Sequence, residues 1–419
     1  MARSVVAARA IRLARLARLA RPARPARVAG WSASTRRSLL GTGWEAPALL
    51  LLSVALLSAG IVMVYSASSI MAQTQGLPDY YFVVRQASGG AMALVLLGLC
   101  SQVDYRRLRI WAWPVLIGVL LLLLVTVLPG TTAIAPRING ARRWIGYGML
   151  QIQPAELAKL AVVIWTAMLV VKKQDRLASL SRGLLPFLLV WTLLAGLILL
   201  QPNLSSAMLV MLMGSLVVFA GGARIGHFIL LFLVGLPLLW NRVEAAAYRM
   251  KRIAAFLDPS QDPAGISYQI NQSLIAVGSG GLLGRGFGRG LQKFGYLPEP
   301  HNDFLFSIIG EELGFVGVLV LACLFALFAL VGYRIAKQAP DLFGFLLAIG
   351  LTNLVVVQGF LHMAVDMALL PTTGMTLPFM SYGRSSLLVC AAAVGVLMNI
   401  ARTAGRTEAA ERAGAGRGA

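Results

Sequence analysis

Apolar stretches long enough to cross a bilayer recur along this chain, and they limit its fold more than any other feature. A helix of about 18 to 25 apolar residues spans roughly 30 Å of hydrocarbon. Such stretches fall near residues 47–66, 83–101, 110–128, 154–171, 184–200, 205–221, 225–241, 304–331, 342–366 and 377–400. Hydrophobic residues fill 58% of the 419 positions and charged residues 13%, which excludes a soluble domain. The expected fold is an all-α polytopic membrane protein of about ten transmembrane helices. Residues 1–45 read as a basic N-terminal tail and 46–402 as the membrane domain. A large extracytoplasmic loop is expected at about 242–303, between the seventh and eighth helices, and a disordered C-terminal tail at 403–419.

Charge gives the orientation. Lys and Arg number 37 against 16 Asp and Glu. With the N-terminus cytoplasmic, the inner loops hold Arg106, Arg107 and Arg109, then Lys172, Lys173, Arg176 and Arg182, then Arg224, then Arg334 and Lys337. That is the positive-inside pattern, and an even number of spans returns Arg402 and Arg406 to the same side. The basic excess thus suits a membrane surface, and no nucleic acid partner is expected. The Arg-rich stretch before residue 28 resembles an organellar transit peptide, but a cytoplasmic tail lying on anionic lipid is the preferred reading. Cys100, Cys323 and Cys390 lie in or beside apolar spans without metal-ligand spacing, so they read as packing residues with no disulfide.

Ionisable groups at membrane depth are functional candidates, since each needs a wet cavity or a partner. Asp303 stands at the mouth of the eighth span, and Glu311 and Glu312 follow inside it. The outward loop at 136–148 breaks the charge rule with Arg137, Arg142 and Arg143 beside Trp144 and Tyr147. Guanidinium groups there suit a phosphate, although an interfacial belt is the plainer alternative. Glu156 and Lys159 share a helix face three residues apart, after Pro154 at the start of the fourth span. They read either as a dipole-offsetting acid with a snorkelling Lys or as a pair facing a polar cavity. Arg249, Lys251 and Arg252 form another basic group in the long loop, ahead of a glycine-rich run at 278–290. That run lacks the strand-then-helix setting of a nucleotide loop, so its glycines let amides approach an anion or let a re-entrant segment bend, with a plain flexible loop as the alternative. Pro371 and Pro378, with Ser381, Ser385 and Ser386, imply broken helix lining a cavity in the last loop, although the three serines read equally as packing residues between helices.

Together these segments resemble the SEDS (RodA/FtsW) family of cell-wall polymerases. The resemblance covers about residues 45–402. It rests on NGARRW at 139–144, QPAELAK at 153–159, QPN at 201–203, AFLDP at 255–259, HNDF at 301–304, GEELG at 310–314, LPTTG at 370–374 and SYG at 381–383. The chain is closer to the division branch than to the elongation branch. Some positions depart from the pattern: Asn203 replaces an Asp, Asn302 a Thr or Ser, His362 an Asn, Thr373 a Lys and Arg384 a Gly.

The resemblance implies a multi-pass protein of the bacterial inner membrane with both termini cytoplasmic, concentrated at the division septum. Its activity would be polymerisation of lipid II, the undecaprenyl-pyrophosphate-linked disaccharide peptide, on the outer face. A class B penicillin-binding transpeptidase and other division proteins would be partners. The family's essential acid falls on Asp303, its Glu/Lys pair on Glu156 and Lys159, and its His on His301. On this reading Asp303 is the general base of an inverting transfer. Arg143 and Lys159, with Arg142 and Arg249, stabilise the pyrophosphate, and Ser385 lines the site. No cofactor is evident. A divalent cation is compatible with the chemistry, but no ligand cluster marks one. A lipid II flippase and a cell-division scaffold are the rival readings.

Overall fold

The structure is a computed structural model that describes residues 43–138, 140–147, 151–177, 179–244, 247–258, 265 and 267–415. Its long helices are α1 (Glu45–Thr74), α2 (Tyr81–Gln102), α3 (Leu108–Val127), α4 (Pro154–Lys173), α5 (Leu185–Leu200) and α6 (Leu204–Ala220). They continue with α7 (Ile225–Glu244), α8 (Ala247–Leu257), α9 (Tyr268–Ser279), α10 (Leu305–Gln338), α11 (Leu342–Asp366) and α12 (Arg384–Ala415). Each apolar stretch read from the sequence overlaps one of these helices, while α8 and α9 lie inside the long 242–303 segment. Among the described residues eight helices are long and apolar enough to cross a membrane, and α6 is a shorter apolar helix of 17 residues.

Burial separates a centre from a rim. In α4 and α11, 83% of the apolar window is buried and in α12 78%, against 28% in α2, α3 and α10. The central helices carry the polar side chains, including Glu156, Lys159, Thr352, Asn353 and Gln358, all buried. Lipid gives no reason to bury Leu rather than Ser, so packing and hydrogen bonding decide which faces turn inward.

The last span differs from expectation at both ends. Residues 377–383 are irregular and helix begins at Arg384, because Pro378 and a left-handed Phe379 (φ 65°) interrupt the backbone first. At the other end α12 runs through Ala415, past the boundary drawn at 402. Ala, Glu and Arg dominate residues 403–415, and these are strong helix formers. The basic tail drawn at 1–45 lies outside the described residues as far as 42, and Glu45 already belongs to α1, pairing with Arg334 at 2.8 Å.

Helix α10 is broken, and the break explains the glycine-rich run. Gly314 takes φ 66°, ψ −162°, so two helices meet there at an angle no L side chain adopts readily. The carbonyls of Glu311 and Glu312 accept instead from the amides of Arg285 and Gly286 (3.0 and 3.1 Å), while Phe315 and Val316 donate to Gly281 and Leu282 (2.9 and 3.1 Å). The run therefore splints both free helix ends, the condition for a discontinuous helix at membrane depth. Gly284 (φ 79°) makes the approach possible: a Cβ there would lie 2.1 Å from the Glu312 carbonyl oxygen.

Candidate active site

Glu311 and Glu312, the deepest carboxylates in α10, are structural. The amides of Leu291 and Gln292 donate to Glu311 (2.7 and 3.2 Å), and that of Gly288 to Glu312 (3.0 Å). Lys293 completes the cage, 2.8 Å from Glu312 and 3.0 Å from Ser66. Both acids are fully buried. The anion the glycine run accommodates is thus the protein's own.

Asp303 lies just before α10, at the end of the bundle where the α3–α4, α5–α6, α7–α10 and α11–α12 connections converge. Pro298 and Pro300 flank Glu299, which is left-handed (φ 49°), and the amides of Asn302 and Asp303 both donate to the Glu299 carbonyl at 3.1 Å. This turn aims Asp303 at Gly374, exposed in the α11–α12 connection. A Cβ at 374 would stand 3.4 Å from Asp303 Oδ2, so the absence of a side chain leaves that oxygen uncovered. Asp303 is itself half-buried. Withdrawal from water pushes its carboxyl up to about 7; the Glu299 charge adds to the rise, while Arg252 and Arg143 oppose it.

Arg143 arrives from the α3–α4 loop, which the bridges Ile138–Ala141 and Ile145–Ile152 pin into shape. Its guanidinium donates to the carbonyls of Gln201 and Pro202 (3.0 and 2.8 Å). Arg252, on α8, donates to the Thr372 carbonyl at 2.9 Å. Two guanidinium groups, each held by backbone carbonyls of a different connection, therefore act electrostatically on the acid. Arg142 points away and donates to the Leu128 carbonyl beyond α3 (3.0 Å). Arg249 lies on α8, but its side chain falls outside the described residues.

His301 is buried between Phe82 and Tyr382, with ring centroids 4.6 and 5.4 Å away. Burial lowers its imidazole to about 4, so the ring is neutral at neutral pH although Glu299 stands 3.8 Å away. Its carbonyl accepts from the Tyr382 amide at 3.0 Å, tying the acid-bearing turn to the α11–α12 connection.

Glu156 and Lys159 lie deeper. Lys159 is 2.8 Å from Glu156 and donates to Gln358 Oε1 at 2.6 Å, and Gln358 donates onward to the Thr376 carbonyl at 2.9 Å. Lys159 is 2% exposed, and through Gln358 its ammonium is linked to the α11–α12 connection. Ser385 Oγ accepts from the Gln153 amide at 2.9 Å, joining the starts of α4 and α12. Among the departures, Asn203 caps α6 by accepting from the Ser206 amide (3.1 Å), a task that needs an oxygen but no charge. His362 is buried and turned to the Met375 carbonyl.

The residues missed in the sequence are Arg252, Glu299 and Gly374. Arg252 stood in the same basic group as Arg249, one turn earlier, and nothing in the spacing separates them. Among the described residues no group of three or more His, Cys, Asp and Glu side chains gathers as for a metal.

The comparisons with known proteins agree with this architecture. The family model described as cell cycle protein, covering FtsW, RodA and SpoVE, matches residues 47–406. The chain is 44% identical over 352 residues to the probable peptidoglycan glycosyltransferase FtsW of Trichlorobacter lovleyi, covering 84% of this chain and 92% of that one. It is 40% identical to the stage V sporulation protein E of Bacillus subtilis over 354 residues, 84% of this chain and 96% of the relative. Among solved structures, a peptidoglycan synthase complex that coordinates polymerization and crosslinking contains a chain with a TM-score of 0.69 and 32% identity, covering 87% of this chain and 99% of that one. The rod shape determining protein RodA of Thermus thermophilus gives 0.63 and 30%, with 87% and 98% covered. On the strength of a match running nearly from α1 to the middle of α12, the chain belongs to the FtsW/RodA/SpoVE family.

Proposed function

We infer that this chain is a peptidoglycan glycosyltransferase that polymerises lipid II into glycan strands, with Asp303 as its general base. The observation that carries the reading is a half-buried carboxyl that Gly374 leaves uncovered, on which Arg143 and Arg252 act electrostatically and which withdrawal from water raises to about 7. A base near neutrality is half ionised at working pH and still basic enough to take a proton.

In the step proposed, Asp303 removes the proton from the acceptor sugar's 4-hydroxyl as that oxygen bonds to the donor's anomeric carbon. The bond from that carbon to the lipid pyrophosphate breaks on the opposite side, so configuration inverts. Arg143 and Arg252 hold charge where the pyrophosphate develops it, a preorganised stabilisation worth about two to four kcal/mol per donor in comparable sites. A divalent cation can share that charge with few protein ligands. Lys159 and Glu156 act from beneath, holding the α11–α12 connection on which Gly374 rides. His301 is neutral and packs the turn.

The reading places this end of the bundle on the outer face of the bacterial inner membrane, with the basic loops inside and the activity at the division septum. A crosslinking transpeptidase of the class B penicillin-binding type is the proposed partner, with other division proteins around it. The solved relative belongs to a complex that joins polymerization to crosslinking.

The test uses labelled lipid II in detergent, with and without the transpeptidase. The wild-type chain lengthens it into glycan resolved on a gel, and Asp303→Ala does not. Glycan from Asp303→Ala at the wild-type rate removes the base assignment. A wild-type chain that binds lipid II without extending it points to translocation instead.

A further inference from the structure

A buried polar cluster lies behind the Asp303 turn and takes no part in the chemistry above. Asp366 closes α11 and His362 stands one turn before it; both are buried. Asp366 Oδ2 accepts the Ser307 amide at 3.2 Å, with the Ser307 hydroxyl also at 3.2 Å. Phe304 precedes the first turn of α10 and offers no capping side chain. Asp366 therefore supplies, from another helix, the acceptor that a capping residue would. Ser273 of α9 donates to the Asp366 carbonyl at 2.6 Å, and its Oγ is 2.6 Å from that of Ser307. The first turn of α10 is thereby tied to α9 and α11, and Ser307 follows Asp303 by one helical turn.

Hydrogen-bond roles fix the proton count of this cluster. His362 Nδ1 is 2.6 Å from the Met375 carbonyl oxygen, which can only accept, so Nδ1 carries a hydrogen. The other ring nitrogen, Nε2, is 3.6 Å from Asp366 Oδ2 and has no hydrogen-bond partner among the described residues. A bare imidazole nitrogen and an ionised carboxylate are both acceptors, and would repel across that gap. One further proton therefore resides on the pair, and on whichever side it rests the net charge is zero. That charge matters to the base, because Asp303 and Asp366 interact electrostatically. Glu299, Arg252 and Arg143 are the charged groups acting on Asp303.

We propose that Asp366 is a positioning residue that fixes the first turn of α10 from outside it, and that one proton held by it or by His362 keeps the region behind Asp303 free of net negative charge. This rests on the reading of Asp303 as the base of glycan polymerisation.

The experiment measures lipid II extension across pH by the detergent-purified full chain with its transpeptidase, comparing wild type, Asp366→Asn and Asp366→Ala. Asn keeps an acceptor for Ser307 in the place of Oδ2 while staying neutral, so kcat remains within about twofold of wild type. The acid limb of its profile does not move. Ala leaves the Ser307 amide without its acceptor, and kcat falls between about tenfold and a hundredfold at unchanged KM. The inference is overturned if Asp366→Asn moves the acid limb to lower pH, because removing a negative neighbour lowers a carboxyl's pKa. It is equally overturned if Asn is as slow as Ala, or if Ala matches wild type. Should the Ala variant not fold, the Asn profile decides alone. A wild-type chain that does not extend lipid II, or an Asp303→Ala variant that does, strikes the underlying functional reading instead.

Discussion

The Lys159 ammonium lies 2.8 Å from the Glu156 carboxylate one turn before it and 2.6 Å from Gln358 on the neighbouring helix, closed off from solvent. Removing one partner of such a pair strands a buried charge, at a cost of about 3–5 kcal/mol. Glu156→Ala should therefore lower the thermal unfolding midpoint in detergent and the polymerisation rate together. The double variant Glu156→Leu with Lys159→Met should recover much of the midpoint. A Glu156→Ala protein as stable as wild type would show that the charge is compensated elsewhere.

Asp303 must be ionised to accept a proton, so kcat/KM should rise with pH and level off above about 7. Glu299→Gln removes a negative neighbour and should move that limb to lower pH. Arg252→Ala removes a positive one and should move it higher. Rate profiles of the three proteins check both signs, and limbs that coincide would detach Asp303 from the titration.

The same shift has a stability consequence. Between about 3.8 and 7 the folded chain holds a proton on Asp303 that the unfolded chain has released, so this group costs stability as pH rises through that window. Asp303→Asn should thus unfold at a higher temperature than wild type, by a margin that grows from acid to neutral pH. His301 runs the other way. Its folded value of about 4 lies below the ordinary 6.5, so the unfolded chain binds the extra proton and stability falls as pH drops through that interval.

Arg143→Ala and Arg252→Ala should each lower kcat by about 10²–10³, the loss seen when a preorganised donor to developing charge is removed. Arg142→Ala should stay within about twofold, since its guanidinium serves the Leu128 carbonyl. Measuring all three in one lipid II assay separates the arginines that face the acid from the one that does not.

Gly284→Ala places a methyl group 2.1 Å from the Glu312 carbonyl oxygen on backbone at φ 79°. The splint across the α10 break must then open. Protease cleavage within residues 280–290 should become faster, and lipid II extension should fall although no residue of the acid's surroundings has changed.

Much of this was legible in the chain itself. Apolar length alone located the helices, because a bilayer enforces it, and Asp303 stood out as a carboxylate where carboxylates are costly. The break at Gly314 was not visible, since a single glycine within an apolar run carries no periodic signal and the splint lies 30 residues earlier. Lys159 was legible as a partner of Glu156 but not as a residue closed off by Gln358, which arrives from another helix. The choice of Arg249 over Arg252 turned on which face of α8 meets Thr372, a tertiary fact. Pro378 sits within an apolar stretch, so hydropathy extended the last span across backbone that is not helical.

The carboxylates of Glu311 and Glu312 occupy, from within, the amides of Gly288, Leu291 and Gln292 in and just after the glycine-rich run. A run of free amides at the end of a helix is ordinarily a landing place for phosphate; here it is taken before any substrate arrives. On the proposed reading, recognition of the donor's diphosphate then falls to side chains, the guanidinium groups of Arg143 and Arg252 on two separate connections.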